Sequence, residues 1–244
     1  MPLFGRRNRS EGTGAPGGAS AACSEHGPCR ALAAIPAKEL PSRLGLLVSQ
    51  TDAGLGSDPM VQPFDGELVT LLCVKGKRGR DGAAEALVVP EHLVERWGVD
   101  REQLWAWAHE GLGREQLNRK EFNGQNGDKL HVVNGTGWPG AAQALSAETA
   151  FGVPLPYGAV VSLPNNNGVC GIPIRTSASL QGIPFLIELT RQLRSPNAEL
   201  FGSDLYWTFD GKVESLNARL REGSDFRMVV SGRFKELLDS LPKP

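Results

Sequence analysis

The sequence has few cysteines and no long apolar run, and each absence narrows the kinds of protein to consider. Four cysteines at irregular spacing among 244 residues do not form the framework of a disulfide-stabilised secreted domain. No segment approaches the roughly 20 consecutive apolar residues that span a bilayer. The basic start, with Arg6, Arg7 and Arg9, leads into a Gly-rich stretch rather than into the apolar run of a secretory signal. The sequence therefore predicts a soluble, cytoplasmic protein.

An excess of charge of either sign is also lacking. The 26 basic and 27 acidic residues give a formal net charge of −1 at pH 7. Nucleic-acid-binding domains are usually strongly basic, so the balance argues against nucleic acid as a partner, and it equally argues against a membrane surface. The one dense basic cluster is Lys75, Lys77, Arg78 and Arg80. It could contact phosphates, but no aromatic residues interleave with it, so we interpret it as a solvated hairpin tip.

Motifs that mark common catalytic and cofactor sites are missing as well: there is no P-loop, no G-x-S-x-G elbow and no H-E-x-x-H. Residues 135–140 match G-x-G-x-x-G, the pattern of a dinucleotide-binding turn. However, Trp138 would crowd that turn, and no acidic residue follows about 20 positions later at the end of a second strand. We interpret the segment as a Gly-rich connector and predict no cofactor.

Cys23, His26 and Cys29 are the closest approach to a metal-binding pattern. A structural zinc site needs four ligands, and no second Cys or His pair lies nearby in the sequence. We therefore predict no metal site.

Two further thiols, Cys73 and Cys170, lie in predicted strands, where a cysteine usually acts as a small buried hydrophobe. One alternative is an enzyme whose site is assembled from dispersed residues, such as His92, His131, Asp204 and Cys170. That alternative requires these groups to converge in one pocket.

Apolar periodicity predicts an α+β fold, with a mainly antiparallel sheet built from hairpins and with helices packed on it. The predicted strands are 67–74, 85–89, 129–133, 158–163, 169–174, 204–209, 212–216 and 226–230, and the predicted helices are 91–97, 101–112, 141–150, 179–194 and 234–241. The Asn-rich turn, where Asn167–Gly168 tolerate positive φ, and the pair Asp210–Gly211 are predicted hairpin turns. Asp100 and Ser179 are predicted to cap the helices that follow them.

The domain organisation follows from composition. Residues 1–36 are rich in Gly, Ala, Ser, Pro and Arg, which predicts a disordered tail. Residues 37–244 are predicted to form a single α+β domain. Residues 113–128 are polar and contain two Asn–Gly pairs, so we expect a loop there, and any subdivision of the domain would fall in it.

The segment from Pro156 to Gly211 contains the most distinctive motifs. It includes Pro156-Tyr157-Gly158-Ala159-Val160-Val161, Leu163-Pro164, Ser203-Asp204-Leu205-Tyr206-Trp207 and Asp210-Gly211, and an upstream segment adds Pro90-Glu91-His92-Leu93, Trp97-Gly98-Val99 and Leu104-Trp105. This pattern resembles a family of uncharacterised bacterial proteins that is common in actinobacteria. The resemblance implies a fold and no known activity. Relatives often carry His and Arg in the turn after Pro164, where this chain has three asparagines.

Two features indicate a contact surface. The turn formed by Asn165, Asn166 and Asn167 is conspicuously polar. Trp107 lies off the apolar stripe of its helix, so it is either exposed as a contact residue or packed against the loop that follows. With no catalytic motif, the sequence favours a non-enzymatic protein-interaction module whose partner is another protein. Two alternatives stay open: the enzyme with a dispersed site, and an immunity or regulatory partner of a toxin or secretion system. The sequence leaves the oligomeric state open.

Overall fold

A computed structural model describes residues 27–51, 58–80, 82–124, 128–193, 204–219 and 232–243. These residues form seven α-helices and two antiparallel sheets, of four and six strands. The predicted α+β class with antiparallel sheets is therefore confirmed.

The four-stranded sheet is organised around one long strand. Its strands are β1 (Leu44–Gln50), β2 (Val61–Asp65), β3 (Leu68–Arg78) and β4 (Ala84–Val88). β3 pairs with β1 along one side, and with β2 and then β4 along the other. β1 and β2 were not predicted from the sequence. β2 contains Pro63, which usually argues against a strand, and the short apolar run of β1 fits a buried helix equally well.

The six-stranded sheet has the order β10-β9-β7-β8-β6-β5. Its strands are β5 (Leu117–Asn123), β6 (Lys129–Gly135), β7 (Ala159–Asn165), β8 (Gly168–Pro173), β9 (Asp204–Phe209) and β10 (Lys212–Arg219). Three hairpins, β5–β6, β7–β8 and β9–β10, build it, as the sequence analysis expected of the last two.

The helices cover these sheets and connect them. They are α1 (Gly27–Ala33), α2 (Leu40–Arg43), α3 (His92–Trp97), α4 (Arg101–Leu112), α5 (Ala147–Phe151), α6 (Ile183–Leu193) and α7 (Gly232–Ser240), with 3₁₀ turns at Ala37–Glu39, Ala141–Ser146 and Ser177–Gly182. The predicted caps are confirmed only in part. Asp100 occupies the N-cap position of α4, but its side chain makes no capping hydrogen bond. Thr176 caps the 3₁₀ turn before α6, and Ser179 is the reciprocal member of that capping box.

Both faces of the central strands of the six-stranded sheet are buried. Side chains alternate along β7 and β9, as they must on a pleated strand. Val161 and Tyr206 face the core shared with the four-stranded sheet, α4 and α5. Val160 and Trp207 face a second core formed with α6 and α7. The two sheets meet where the rings of Phe64 and Tyr206 pack edge to face at 5.7 Å.

Three expectations about the chain's organisation need correction or restriction. Structure begins earlier than expected, since α1 lies within the predicted tail and Leu32 and Ile35 are buried. The prediction of a loop over residues 113–128 was wrong for Leu117–Asn123, which form β5. The predicted strand 226–230 lies outside the described residues. No helix in the described part of the chain is long and apolar enough to cross a membrane.

Both predicted hairpin turns are confirmed. Asp210 and Gly211 have positive φ, at 51° and 69°. Neither Asn167 nor Gly168 uses the positive φ that it tolerates. The β7–β8 turn is instead closed by the Asn165 side chain, whose Oδ1 accepts a hydrogen bond from the Asn167 N–H at 2.9 Å.

Candidate functional site

The asparagine turn (residues 165–167) lies against the Gly-rich loop (residues 135–140). The Asn167 carbonyl accepts from the Gly135 N–H at 3.0 Å, and the Asn166 carbonyl accepts from the Ala141 N–H at 3.1 Å. A Cβ placed on Gly140 would lie 2.5 Å from the Asn167 carbonyl oxygen, so only glycine fits there. The main chain of the asparagine turn is therefore structural. The side chains of Asn166 and Asn167 are exposed, and their role in a contact stays a prediction.

Trp107 is partly exposed. It lies on α4, where it is half-buried and packs against the shared core. The neighbouring Trp105 is fully buried in the same core. Part of the Trp107 side chain reaches solvent, and its role as a contact residue also stays a prediction.

The two sequence-predicted buried thiols are indeed inaccessible. Cys73 lies in β3, Cys170 lies in β8, and both are fully buried. Burial raises the pKa of each thiol to about 12, so both are protonated at neutral pH and neither is a nucleophilic thiolate.

The dispersed enzyme site does not assemble around Cys170 and His131. Cys170 packs with Val132 on the α6 face of the six-stranded sheet. His131 points to the opposite face, where its ring stacks on Phe151 at 5.2 Å, and burial lowers its pKa. The sheet therefore separates this thiol from this imidazole. His92 lies on α3, which packs beside α1.

The candidate zinc ligands are only partly covered by the structure. Cys23 and His26 lie outside the described residues, and Cys29 is half-buried on α1. Within the described ranges, no group of three or more His, Cys, Asp or Glu side chains is arranged to hold a metal ion.

The Gly-rich loop and the basic cluster, which the sequence analysis treated as unrelated, meet in the fold. The Ala84 N–H, at the start of β4, donates to the Gly137 carbonyl at 2.9 Å. The loop, the β3–β4 hairpin and the turn after α4 line a cavity of about 370 Å³, which we call the basic pocket. Lys75 and Arg78 line this pocket. Lys75 is half-buried, whereas Lys77, Arg78 and Arg80 are exposed, as predicted for a hairpin tip.

A larger cleft of about 490 Å³ opens between β2 and the β9–β10 hairpin. The charged residues that line it carry both signs: Asp65, Lys212, Glu214 and Arg233. The Asp65 carboxylate accepts hydrogen bonds from the N–H groups of Gly66 and Ser215. Asp65 thereby ties β2 to β10, so its carboxylate serves to join the two sheets.

β5 is the feature that the sequence analysis missed and that most resembles a binding surface. It forms one edge of the six-stranded sheet, and no described strand pairs with its outer side. Its pairing with β6 is regular over all seven residues, with no bulge. Six of the seven side chains are exposed. A usable indication was present in the sequence, because a turn followed by the strand 129–133 implies a partner strand before that turn.

The hydrogen bonds between β5 and β6 show which peptide groups of β5 face outwards. At one end the Gln116 carbonyl accepts from the Thr136 N–H at 2.9 Å, and at the other the Gly124 N–H donates to the Asp128 carbonyl at 2.7 Å. Along an antiparallel pair of strands, hydrogen-bonded residue pairs alternate with pairs that are not hydrogen-bonded. Peptide groups of the even-numbered residues of β5 therefore face β6, and those of the odd-numbered residues, Glu121 among them, face outwards.

Large apolar side chains are exposed on the same side of the molecule. Phe122 lies opposite Leu130, which faces α6, and is 37% exposed. Phe185 and Leu193 lie on α6 itself and are 39% and 38% exposed.

No protein-family model, curated protein or solved structure matches the chain.

Proposed function

We propose that this protein is a non-enzymatic protein-interaction module that binds an extended segment of another protein along β5. The observation that carries the proposal is the regular outer edge of this strand, described above. An added strand gains affinity from main-chain hydrogen bonds, and it gains specificity from alternate side chains.

The side chains of β5 suit a selective partner rather than indiscriminate pairing. Charged residues on an edge strand discourage aggregation between copies. Glu121 pairs with Lys129 across the hairpin at 2.5 Å. The Arg119 guanidinium donates to the Ala150 carbonyl at 2.7 Å, which holds it against α5. Phe122 offers an apolar contact on the α6 side, so a partner strand with an apolar residue at that face would be preferred.

We place this interaction in the cytoplasm. Cys73 and Cys170 are buried thiols and not disulfides. Buried reduced thiols fit a reducing compartment. The enzyme alternative is weakened because Cys170 and His131 lie on opposite faces of the sheet.

The test uses peptides selected on the full chain from a displayed library of linear sequences. Affinity is then measured by fluorescence anisotropy for the unmodified protein, Glu121→Pro and Glu121→Ala. Proline removes an outward N–H and is tolerated on a solvent-facing edge. We expect Glu121→Pro to weaken binding by at least about tenfold, and Glu121→Ala, which keeps the N–H, by less than about threefold.

Hydrogen exchange on the unmodified protein gives an independent measurement. Bound peptide should slow exchange at the amides of Arg119, Glu121 and Asn123. Equal affinity of Glu121→Pro and the unmodified protein, or protection confined to other strands, would contradict pairing along β5. Failure to select any linear peptide would also count against it.

A further inference from the structure

The basic pocket is formed by four segments that are distant in the sequence. Its walls are the junction of α2 and β1, the β3–β4 hairpin, the turn after α4 and the Gly-rich loop. Three cations, Lys75, Arg78 and Arg114, line it together with one carboxylate, that of Glu115. The pocket therefore carries an excess of two positive charges in a chain whose net charge is −1.

The cations of the basic pocket are not equally neutralised. Lys75 forms an ion pair with Glu115. Arg78 and Arg114 donate to main-chain carbonyls, those of Gly82 at 3.3 Å and Pro41 at 2.9 Å. Among the described residues, no carboxylate forms an ion pair with either guanidinium. Each guanidinium has five N–H donors, so donors remain for a ligand.

The wall formed by the Gly-rich loop lies close to the cations. Gly137 has φ of 81°, and a Cβ there would lie 3.1 Å from Arg78 Nη1, so glycine lets the loop approach the guanidinium. Trp138 is buried, and its Nε1–H donates to the Leu46 carbonyl at 2.9 Å. Its indole ring faces the Lys75 ammonium at 5.5 Å. The pocket thus has a fixed aromatic wall, and the exposed side chains of Arg78 and Arg114 line its solvent-facing side.

We propose that the basic pocket binds a small ligand that carries a phosphate or diphosphate group, with Arg78 and Arg114 as the main contacts. A guanidinium matches the geometry of phosphate oxygens through paired hydrogen bonds, and a dianion balances the two excess charges. This is not the dinucleotide site that G-x-G-x-x-G suggests. The Gly-rich loop leads into the 3₁₀ turn Ala141–Ser146, so no α-helix N-terminus faces the ligand.

The experiment titrates pyrophosphate into the full-length protein at about 0.1 M salt, where nonspecific attraction between exposed charges is largely screened. Isothermal calorimetry measures the affinity of the unmodified protein and of single variants. Saturable binding is expected, and Arg78→Ala and Arg114→Ala should each weaken it by at least about tenfold. The matched control is Arg80→Ala, which removes the same charge from the same hairpin outside the pocket and should change affinity by less than about twofold.

Several outcomes would overturn the proposal. Absence of saturable pyrophosphate binding would do so, as would an equal loss of affinity in Arg80→Ala, because the attraction would then be unspecific. ADP and a phosphoserine peptide are compared under the same conditions. Binding of ADP through Arg78 supports a free small molecule, whereas binding of the peptide without pyrophosphate or ADP would contradict it. Arg78→Ala alone decides the matter if Arg114→Ala loses its bond to Pro41 and fails to fold.

Discussion

Cys170 and the asparagine turn show that residues whose side chains suggest a chemical role can have a structural one. Cys170 is a protonated thiol under α6, and the turn's main-chain carbonyls hold the Gly-rich loop. The apolar neighbours of Cys170 in the sequence predicted that its thiol is buried. The role of Asn166 and Asn167 could not be predicted, because their partners are main-chain groups of a loop about 30 residues earlier. Every residue has such peptide groups, so the sequence does not indicate which of them form a contact.

At this scale we predict that Gly140→Ala destabilises the protein. The added Cβ would meet the Asn167 carbonyl at 2.5 Å, so the loop and turn must separate. Overpacking of this kind typically costs about 1–3 kcal/mol. The control is Asn166→Ala, whose side chain is exposed and which keeps the carbonyl, and it should stay within about 0.5 kcal/mol of the unmodified protein. Urea unfolding followed by circular dichroism measures both, and equal stabilities would contradict the packing described.

Strands and helices with clear apolar periodicity were predicted well. Elements without such periodicity were not. α4 and α3 match their predicted bounds closely, and Gly98 ends α3 in the left-handed conformation. β5 was missed because an edge strand needs no apolar face, and its polar side chains resemble those of a loop. Apolar periodicity therefore did not predict the candidate binding edge, although the turn at 123–128 implied the hairpin that contains it.

The start of α6 offers a prediction for an element. Thr176 accepts a hydrogen bond from the Ala178 N–H at 3.3 Å, and Ser179 completes the capping box. Loss of such a cap typically costs about 1 kcal/mol, so Thr176→Ala should lower the free energy of unfolding by that amount. Ser177→Ala changes an exposed neighbour with no cap role and should be neutral. A larger loss in Ser177→Ala than in Thr176→Ala would place the cap elsewhere.

On the scale of the whole molecule, the two sheets share one core, and neither the sequence motifs nor the hairpins indicated that. The shared core contains side chains of β1 and β3 from one sheet and of β7 and β9 from the other. Asp65 adds a polar tie between β2 and β10. These are contacts between segments up to 150 residues apart, as from Asp65 to Ser215, and they depend on topology that local patterns do not specify.

A shared core predicts that the two sheets unfold together. Phe64 lies in β2, is buried, and packs against Tyr206 of the other sheet at 5.7 Å. Phe64→Ala should cost about 3–5 kcal/mol and lower the urea midpoint, with circular dichroism and tryptophan fluorescence moving as one transition. Phe185→Ala makes the same substitution at an exposed position on α6 and should leave the midpoint nearly unchanged. Two separate transitions in Phe64→Ala would mean that each sheet is stable on its own.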